Sequence, residues 1–211
     1  TRKLITASDI PFVGLGFPDE MISARRVPVA FVHNDNEAIG QAAADCFARI
    51  GRFRSYLYFP DTFETPWSIK RGESFMRSLH RSGLDCRVYT HDPKEEDNDL
   101  NNMTKFLKAA EKPAAAFVAW DGRAVDVLHA AARAGLSVPN DVSVLGVDND
   151  DLLCEHSSPP LSSIKTDAEG TGYAAAAELD RLIRGKRMKR SRIICCPIQG
   201  IVERESTRPP T

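Results

Sequence analysis

Residues able to do chemistry recur just after short apolar runs. Asn34, Asp35 and Asn36 follow the run at 29–33. Asp61 follows the run at 56–59, with Trp67 and Arg71 close behind as a helical pattern opens. Trp120 and Asp121 follow 114–119, and Asp148 and Asn149 follow 142–147. In open parallel α/β sheets, ligands bind outside the carboxyl ends of the strands. That rule gathers Asp35, Trp67, Arg71, Trp120, Asp121 and Asp148 at one rim as the candidate ligand contacts. Carboxylates and amides suit vicinal hydroxyls, arginine offers a rigid fork of donors, and tryptophan can lie on the apolar face of a ring. This inventory fits a small neutral polyol such as a sugar, and none of it needs to act as a nucleophile. Each residue also has a plainer reading. Asp35 and Asp121 stand where helix N-caps would be, the two tryptophans could be core, and Arg71 could be a surface ion pair. Asp148 closes a buried apolar strand and therefore needs a partner wherever it points. The joint placement at strand ends carries the ligand reading.

Other chemistries fail on spacing. Gly14 and Gly16 begin a GxG after an apolar run, but the third glycine of a dinucleotide fingerprint would fall on Asp19, and Pro18 breaks the helix entry. There is no GxxxxGK[ST] phosphate loop and no GxSxG elbow. The histidines at 33, 80, 91, 129 and 156 show no paired metal spacing. Asp148, Asn149, Asp150 and Asp151 hint at a calcium loop, which Leu152 and Leu153 interrupt. The expectation is a non-enzyme with no cofactor and no metal. A net charge of −1 provides no global basic field for DNA or an anionic membrane. No apolar run approaches the roughly 20 residues of a membrane span, and no secretory signal is evident. Five cysteines without a CxxC pair fit a reduced, cytoplasmic protein.

These residues need a scaffold that alternates two periodicities. Apolar runs at 12–16, 29–33, 56–59, 86–89, 114–119 and 142–147 read as buried strands. Between most of them, and after the last, come helical faces. One carries Ile39, Ala42, Cys46, Phe47 and Ile50. A second carries Gly72, Phe75, Met76 and Leu79, and a third Met103, Phe106, Leu107 and Ala110. A fourth carries Val125, Leu128, Ala131 and Ala132, and a fifth Ala175, Ala176, Leu179, Leu182 and Ile183. Asp35, Asp97 or Asn98, Asp121 and Asp167 occupy N-cap positions, and Gly51, Gly83, Gly135 and Gly185 follow helix ends. Repeated strand–helix–strand units predict parallel sheets with helices on both faces. The polar stretch 93–102 reads as a loop leading into a helix. The basic run Lys186, Arg187, Lys189, Arg190 and Arg192 reads as a solvated turn before a final strand.

The stretch at 133–149, RAGLSVPNDVSVLGVDN, resembles the signature of the effector-binding core of the lactose/galactose repressor family. Arg71-Gly72-Glu73-Ser74-Phe75 is similar to its R-x-x-G-F helix start, with Ser74 where that pattern has glycine. Pro159 to Ile164 and the tail Glu203-Arg204-Glu205-Ser206-Thr207 resemble two further family segments. The string at 146–164 resembles that of the xylose operon regulators, which join this core to an AraC-type helix-turn-helix pair. The resemblance implies a periplasmic-binding-protein-like (type I) fold of two three-layer α/β/α lobes, with a hinge and a sugar, such as a pentose, in the cleft. It carries ligand contacts onto Asp35, Arg71, Trp120 and Asp148, with Trp120 stacking where several members have asparagine. It also implies control of DNA through a domain outside this chain, and an N-terminal lobe only partly contained in it. The edge strand such a lobe leaves open predicts either a homodimer paired across that edge or instability of the isolated piece. The expected division is 35–162 for one lobe, with 1–34 and 163–211 forming the other lobe, hinge and tail. Arg208-Pro209-Pro210 then reads as a stiff linker. A solute-binding protein of a sugar transporter is the alternative.

Overall fold

The computed structural model describes residues 10–16, 29–63, 65–185 and 192–207, except for the side chains of 95–97. Pro18, Asp19, the basic residues at 186–190 and the stretch 208–210 lie outside the described residues. In chain order the elements are β1 (Val13–Leu15), β2 (Ala30–Asn34), α1 (Asn36–Ile50), β3 (Ser55–Phe59), α2 (Pro66–His80) and β4 (Cys86–Val88). A 3-10 turn (Pro93–Asn98) leads into α3 (Asp99–Lys108), β5 (Ala114–Val118), α4 (Asp121–Ala134), β6 (Val142–Val147) and α5 (Asp151–His156). Then come β7 (Ser162–Thr166), α6 (Ala168–Ile183), β8 (Arg192–Cys196) and β9 (Ile198–Val202).

The described residues fall into two compact units. The smaller draws on Thr1–Asp35 and Asp167–Ile198, the larger on Asn36–Thr166 and Gln199–Thr211. The smaller unit holds a three-stranded sheet in the order β1-β2-β8, with both pairings parallel. Its helix α6 starts as predicted, the Asp167 carboxylate accepting the Gly170 N–H at 2.9 Å. The apolar face expected on that helix is only partly covered, and Ile183 is exposed. The buried position is Glu178, paired with Arg181 at 2.7 Å.

The larger unit has a six-stranded sheet in the order β4-β3-β5-β6-β7-β9. Its inner strands pair in parallel, Leu57 opposite Ala116 and Ala116 opposite Val144. All of β5 and β6 is buried, as expected of parallel strands covered on both faces. One face packs on α3 and α4 through Leu57, Phe59, Met103, Leu107, Val127 and Val144. On the other, α1 and α2 cross closely. A Cβ on Gly40 would stand 2.3 Å from the Arg71 carbonyl oxygen and 2.8 Å from the Phe75 nitrogen, so only glycine permits this approach. Phe75 is pinned between Phe47 and Phe117, with ring centroids 6.2 and 5.1 Å away.

Unit boundaries differ from the expected ones on the C-terminal side of the larger unit. Residues 163–166 and the segment from Gln199 onward cluster with it. The cause is a stitch of hydroxyls. Ser206 Oγ accepts the Ser162 N–H at 2.8 Å and donates to the Val144 carbonyl at 2.7 Å, while Ser162 and Thr207 share a 2.7 Å hydroxyl contact. The tail motif at 203–207 therefore fastens β6 to β7.

Candidate functional site

Arg71 organises the rim of the larger unit. It is 4% exposed, so every donor of its planar fork needs a protein partner or a ligand. The Nε donates to Asn36 Oδ1 at 3.0 Å, and Nη1 donates to the Ala119 carbonyl at 2.5 Å. The third nitrogen, Nη2, stands 3.7 Å from Asp148 Oδ1. The Trp67 ring, one turn earlier on α2, lies under the guanidinium with its centroid 4.7 Å from Cζ. Burial pulls the Arg71 pKa down while Asp148 pulls it up. The surface-ion-pair reading of Arg71 is thereby set aside, since this cation is an interior strut linking α1, α2, β5 and the turn after β6.

That turn is strained. Asp148 has φ 103° and Asn149 has φ 54°, both in the left-handed region that non-glycine residues avoid. Such strain persists only where the surroundings over-determine the backbone. Here three consecutive N–H groups are held. Asp148 N donates to the Ile164 carbonyl at 2.9 Å, Asn149 N to Ser163 Oγ at 3.0 Å, and Asp150 N to Asp121 Oδ2 at 2.8 Å. Arg204 adds a 2.9 Å bond to Asn149 Oδ1. The device presents the Asp148 carboxylate at the rim with its side chain 45% accessible. Burial raises its pKa, and Arg71 and a Thr166 hydrogen bond oppose the rise.

Trp120 is 42% exposed at the end of β5. Its ring folds across Gly122, where a Cβ would lie 2.2 Å from the ring. It is thus not core, and the neighbouring Ala119 carbonyl is the one that Arg71 grips. Asp121 departs from both expectations for it. Trp120, not Asp121, holds the N-cap position of α4. The Asp121 carboxylate is 1% exposed and turned inward, where Ser163 Oγ and Cys154 Sγ donate to it at 2.7 and 3.4 Å alongside the Asp150 N–H. Gly146 leaves room for it, since a Cβ there would stand 2.3 Å from Asp121 Oδ1. A residue so enclosed positions the Asp148 turn and offers nothing to an incoming molecule. Asp35 closes β2 of the smaller unit, its N–H donating to the Cys196 carbonyl at 2.8 Å. The structure thus joins Trp67, Arg71 and Asp148 directly, with Trp120 beside the carbonyl that Arg71 grips.

A model of the periplasmic binding protein-like domain family matches residues 45–207. The chain belongs to this family. Among curated relatives, the xylose operon regulatory protein of Escherichia coli (strain K12) is 27% identical over 203 residues, covering 94% of this chain and 51% of that protein. The HTH-type transcriptional regulator GntR of Pseudomonas aeruginosa is 30% identical, covering 90% of this chain and 54% of the relative. The chain thus spans about half the length of the curated relatives it matches. A solved structure of a xylose-binding transcription activator, xylR, superposes with a TM-score of 0.85 at 24% identity, covering all of this chain and 56% of that one. A periplasmic binding protein/LacI transcriptional regulator from Alkaliphilus metalliredigens QYMF, complexed with D-xylulofuranose, gives 0.77 at 22% identity over 95% of this chain and 72% of the other. These likenesses establish a periplasmic-binding-protein-like α/β fold with mostly parallel sheets, and the named relatives are transcription regulators, not enzymes.

Within this family core, two features escaped the sequence reading. Asn36 stands among the polar residues after β2, but its role depends on Arg71, 35 residues away in the chain. Thr65 carries no motif at all. Its hydroxyl is buried and has no hydrogen-bond partner among the described residues, at the start of the helix that carries Trp67 and Arg71. An unmatched buried hydroxyl is costly unless something bonds it.

Proposed function

We propose that this chain is the effector-sensing part of a bacterial transcription regulator, and that it takes a small sugar of pentose size at the rim of the larger unit. The observation that carries this reading is the buried Arg71 fork spread over Asn36, Ala119, Trp67 and Asp148. Asp148 accepts from vicinal hydroxyls, Arg71 completes the polar set, and Trp120 lies on an apolar ring face. Asp121 acts behind Asp148 by fixing its turn. Asp35 is retained as a proposed contact on the smaller unit. The arrangement binds and orients, and the regulator names among the relatives favour sensing over transport. DNA binding then belongs to a segment outside this chain, of AraC type if it follows the xylose regulators, in a cytoplasmic homodimer. The sugar controls it by differential affinity for two conformations, since a ligand can shift an equilibrium by no more than that difference.

A thermal-shift screen of the 211-residue chain against pentoses, hexoses and their phosphates tests the reading, with Asp148→Ala as control. Ligand binding to the native state raises apparent stability. The proposal expects a rise with one sugar class that disappears in the variant. A rise equal in both proteins, or no rise with any sugar, would contradict it.

A further inference from the structure

The side of α2 turned away from Trp67 and Arg71 borders a separate cavity. At about 100° per residue, Trp67 and Arg71 share one helix face, whereas Ile69, Gly72, Glu73 and Met76 lie across the axis. These four line a cavity of about 540 Å³ together with the ends of β3 and β4, including Tyr58, Asp61, Val88 and His91. That volume lies in the range of about 300–1,000 Å³ typical of sites for small organic molecules. None of the rim residues Trp67, Arg71, Trp120 and Asp148 lines it.

Its walls are apolar and its charges are acidic. Ile69 and Val88 are 44% and 41% exposed, unusual for large aliphatic groups that flank one hollow. Tyr58 forms part of the lining, its hydroxyl tied to the Ser68 carbonyl at 2.6 Å. Asp61 is 5% exposed. Its Oδ1 accepts the Thr65 N–H at 3.1 Å, and its other oxygen has no hydrogen-bond partner among the described residues. Glu73, also in the lining, has no ion-pair partner among the described residues and is exposed. His91 is engaged elsewhere, with Nδ1 on Asp99 Oδ1 at 2.9 Å. No lysine or arginine contributes to the lining among the described residues. A buried carboxylate with an open oxygen, a second carboxylate and aliphatic walls call for a cation carried on an apolar body.

We propose that this cavity is a second ligand site, distinct from the rim, for a small organic amine whose ammonium is drawn to Asp61 and Glu73 and whose apolar part packs on Ile69, Met76 and Val88. Two-dimensional amide NMR of the 211-residue chain tests it, with phenethylamine as probe and 2-phenylethanol and 3-phenylpropanoate as neutral and anionic counterparts. The amine should shift the amides of Gly72, Glu73 and Thr90 saturably, and bind at least about tenfold tighter than either counterpart, as a charge-assisted contact implies. Glu73→Gln, at an exposed position, should weaken it about threefold, and the isosteric Asp61→Asn about tenfold, while Asp148→Ala leaves it within about twofold. Equal affinity for the alcohol, shifts centred on Trp120 and Asp148, or no saturable shift up to about 20 mM amine would each overturn the proposal.

Discussion

Replacing Asp121 with asparagine should change how the stability of the larger unit depends on pH. Burial raises the Asp121 carboxyl from 3.8 to about 6, against the opposing pull of hydrogen bonds from Ser163, the Asp150 N–H and Cys154. A folded-state pKa above the unfolded value means that the native protein binds this proton more tightly. Between about pH 4 and 6 the native state therefore holds more protons, and stability falls as pH rises through that window. Two pKa units correspond to about 3 kcal/mol, of which about 2 kcal/mol falls between pH 7 and pH 4. The amide of the variant does not titrate. Its carbonyl can still accept from Asp150 N, and its NH2 can donate to Ser163 Oγ once that hydroxyl turns, so at pH 7 Asp121→Asn should lie within about 1 kcal/mol of the parent. At pH 4 it should be less stable by about 2 kcal/mol. Urea unfolding at four pH values, followed by tryptophan fluorescence, reads this directly, because both tryptophans belong to the larger unit. Other titrating groups are common to both proteins and cancel. A difference that stays constant across the range, or grows toward pH 7, would refute the placement of a proton-hungry carboxyl behind the Asp148 turn.

Three further outcomes follow from the same geometry. Gly40→Ala forces a methyl onto the Arg71 carbonyl and the Phe75 nitrogen, and should cost about 1–3 kcal/mol in urea unfolding while weakening any sugar bound through Arg71. Asp99→Asn removes the negative charge facing Arg123 (2.5 Å), and its single carbonyl oxygen cannot replace both carboxylate oxygens that accept from Arg123, Tyr89 (2.6 Å) and His91 (2.9 Å). With only Asp126 at 3.6 Å left to face the buried guanidinium, the cost should be about 3 kcal/mol at pH 7. Although burial pushes the Asp99 carboxyl up, those three bonds hold it down at about 2, so its contribution is complete above the ordinary value of 3.8 and is lost as pH falls toward 2. The gap between parent and Asp99→Asn in acid titrations should narrow over that interval. Trp120→Ala should lower sugar affinity about tenfold and move the melting temperature by no more than about 5 °C, since 42% of this residue is already exposed.

Much of this architecture is legible in the sequence because its strands are continuous apolar runs. Val142–Val147 matches its run residue for residue, and β5 ends one residue short of its run. Asp167 and Gly135 cap as their types dictate, Gly135 with φ 72°. The strand Ser162–Thr166 was hidden because Ser162 and Ser163 are buried polar residues. They are tolerated only because Ser206, Thr207 and Asp121 bond them from distant parts of the chain. A single strand was expected after the basic run. The structure has two, β8 and β9, broken at Pro197. Arg71, Trp67 and Asp148 are legible as strand-end chemistry, whereas the inward turn of Asp121 is not. Its position after a strand reads as a cap, and its orientation is decided by Ser163, 42 residues later. Thr65 stays invisible because an orphaned hydroxyl is a property of packing and not of spacing.

The most direct test of the central claim is calorimetric titration of the best-stabilising sugar into the 211-residue chain and into Asp148→Asn. The account predicts saturable one-site heat for the parent and a loss of about ten- to a hundredfold in affinity for the variant, as expected when a charged acceptor of sugar hydroxyls becomes neutral. Equal affinity in the two proteins would contradict it and move the sugar away from the rim that Arg71 and Asp148 define.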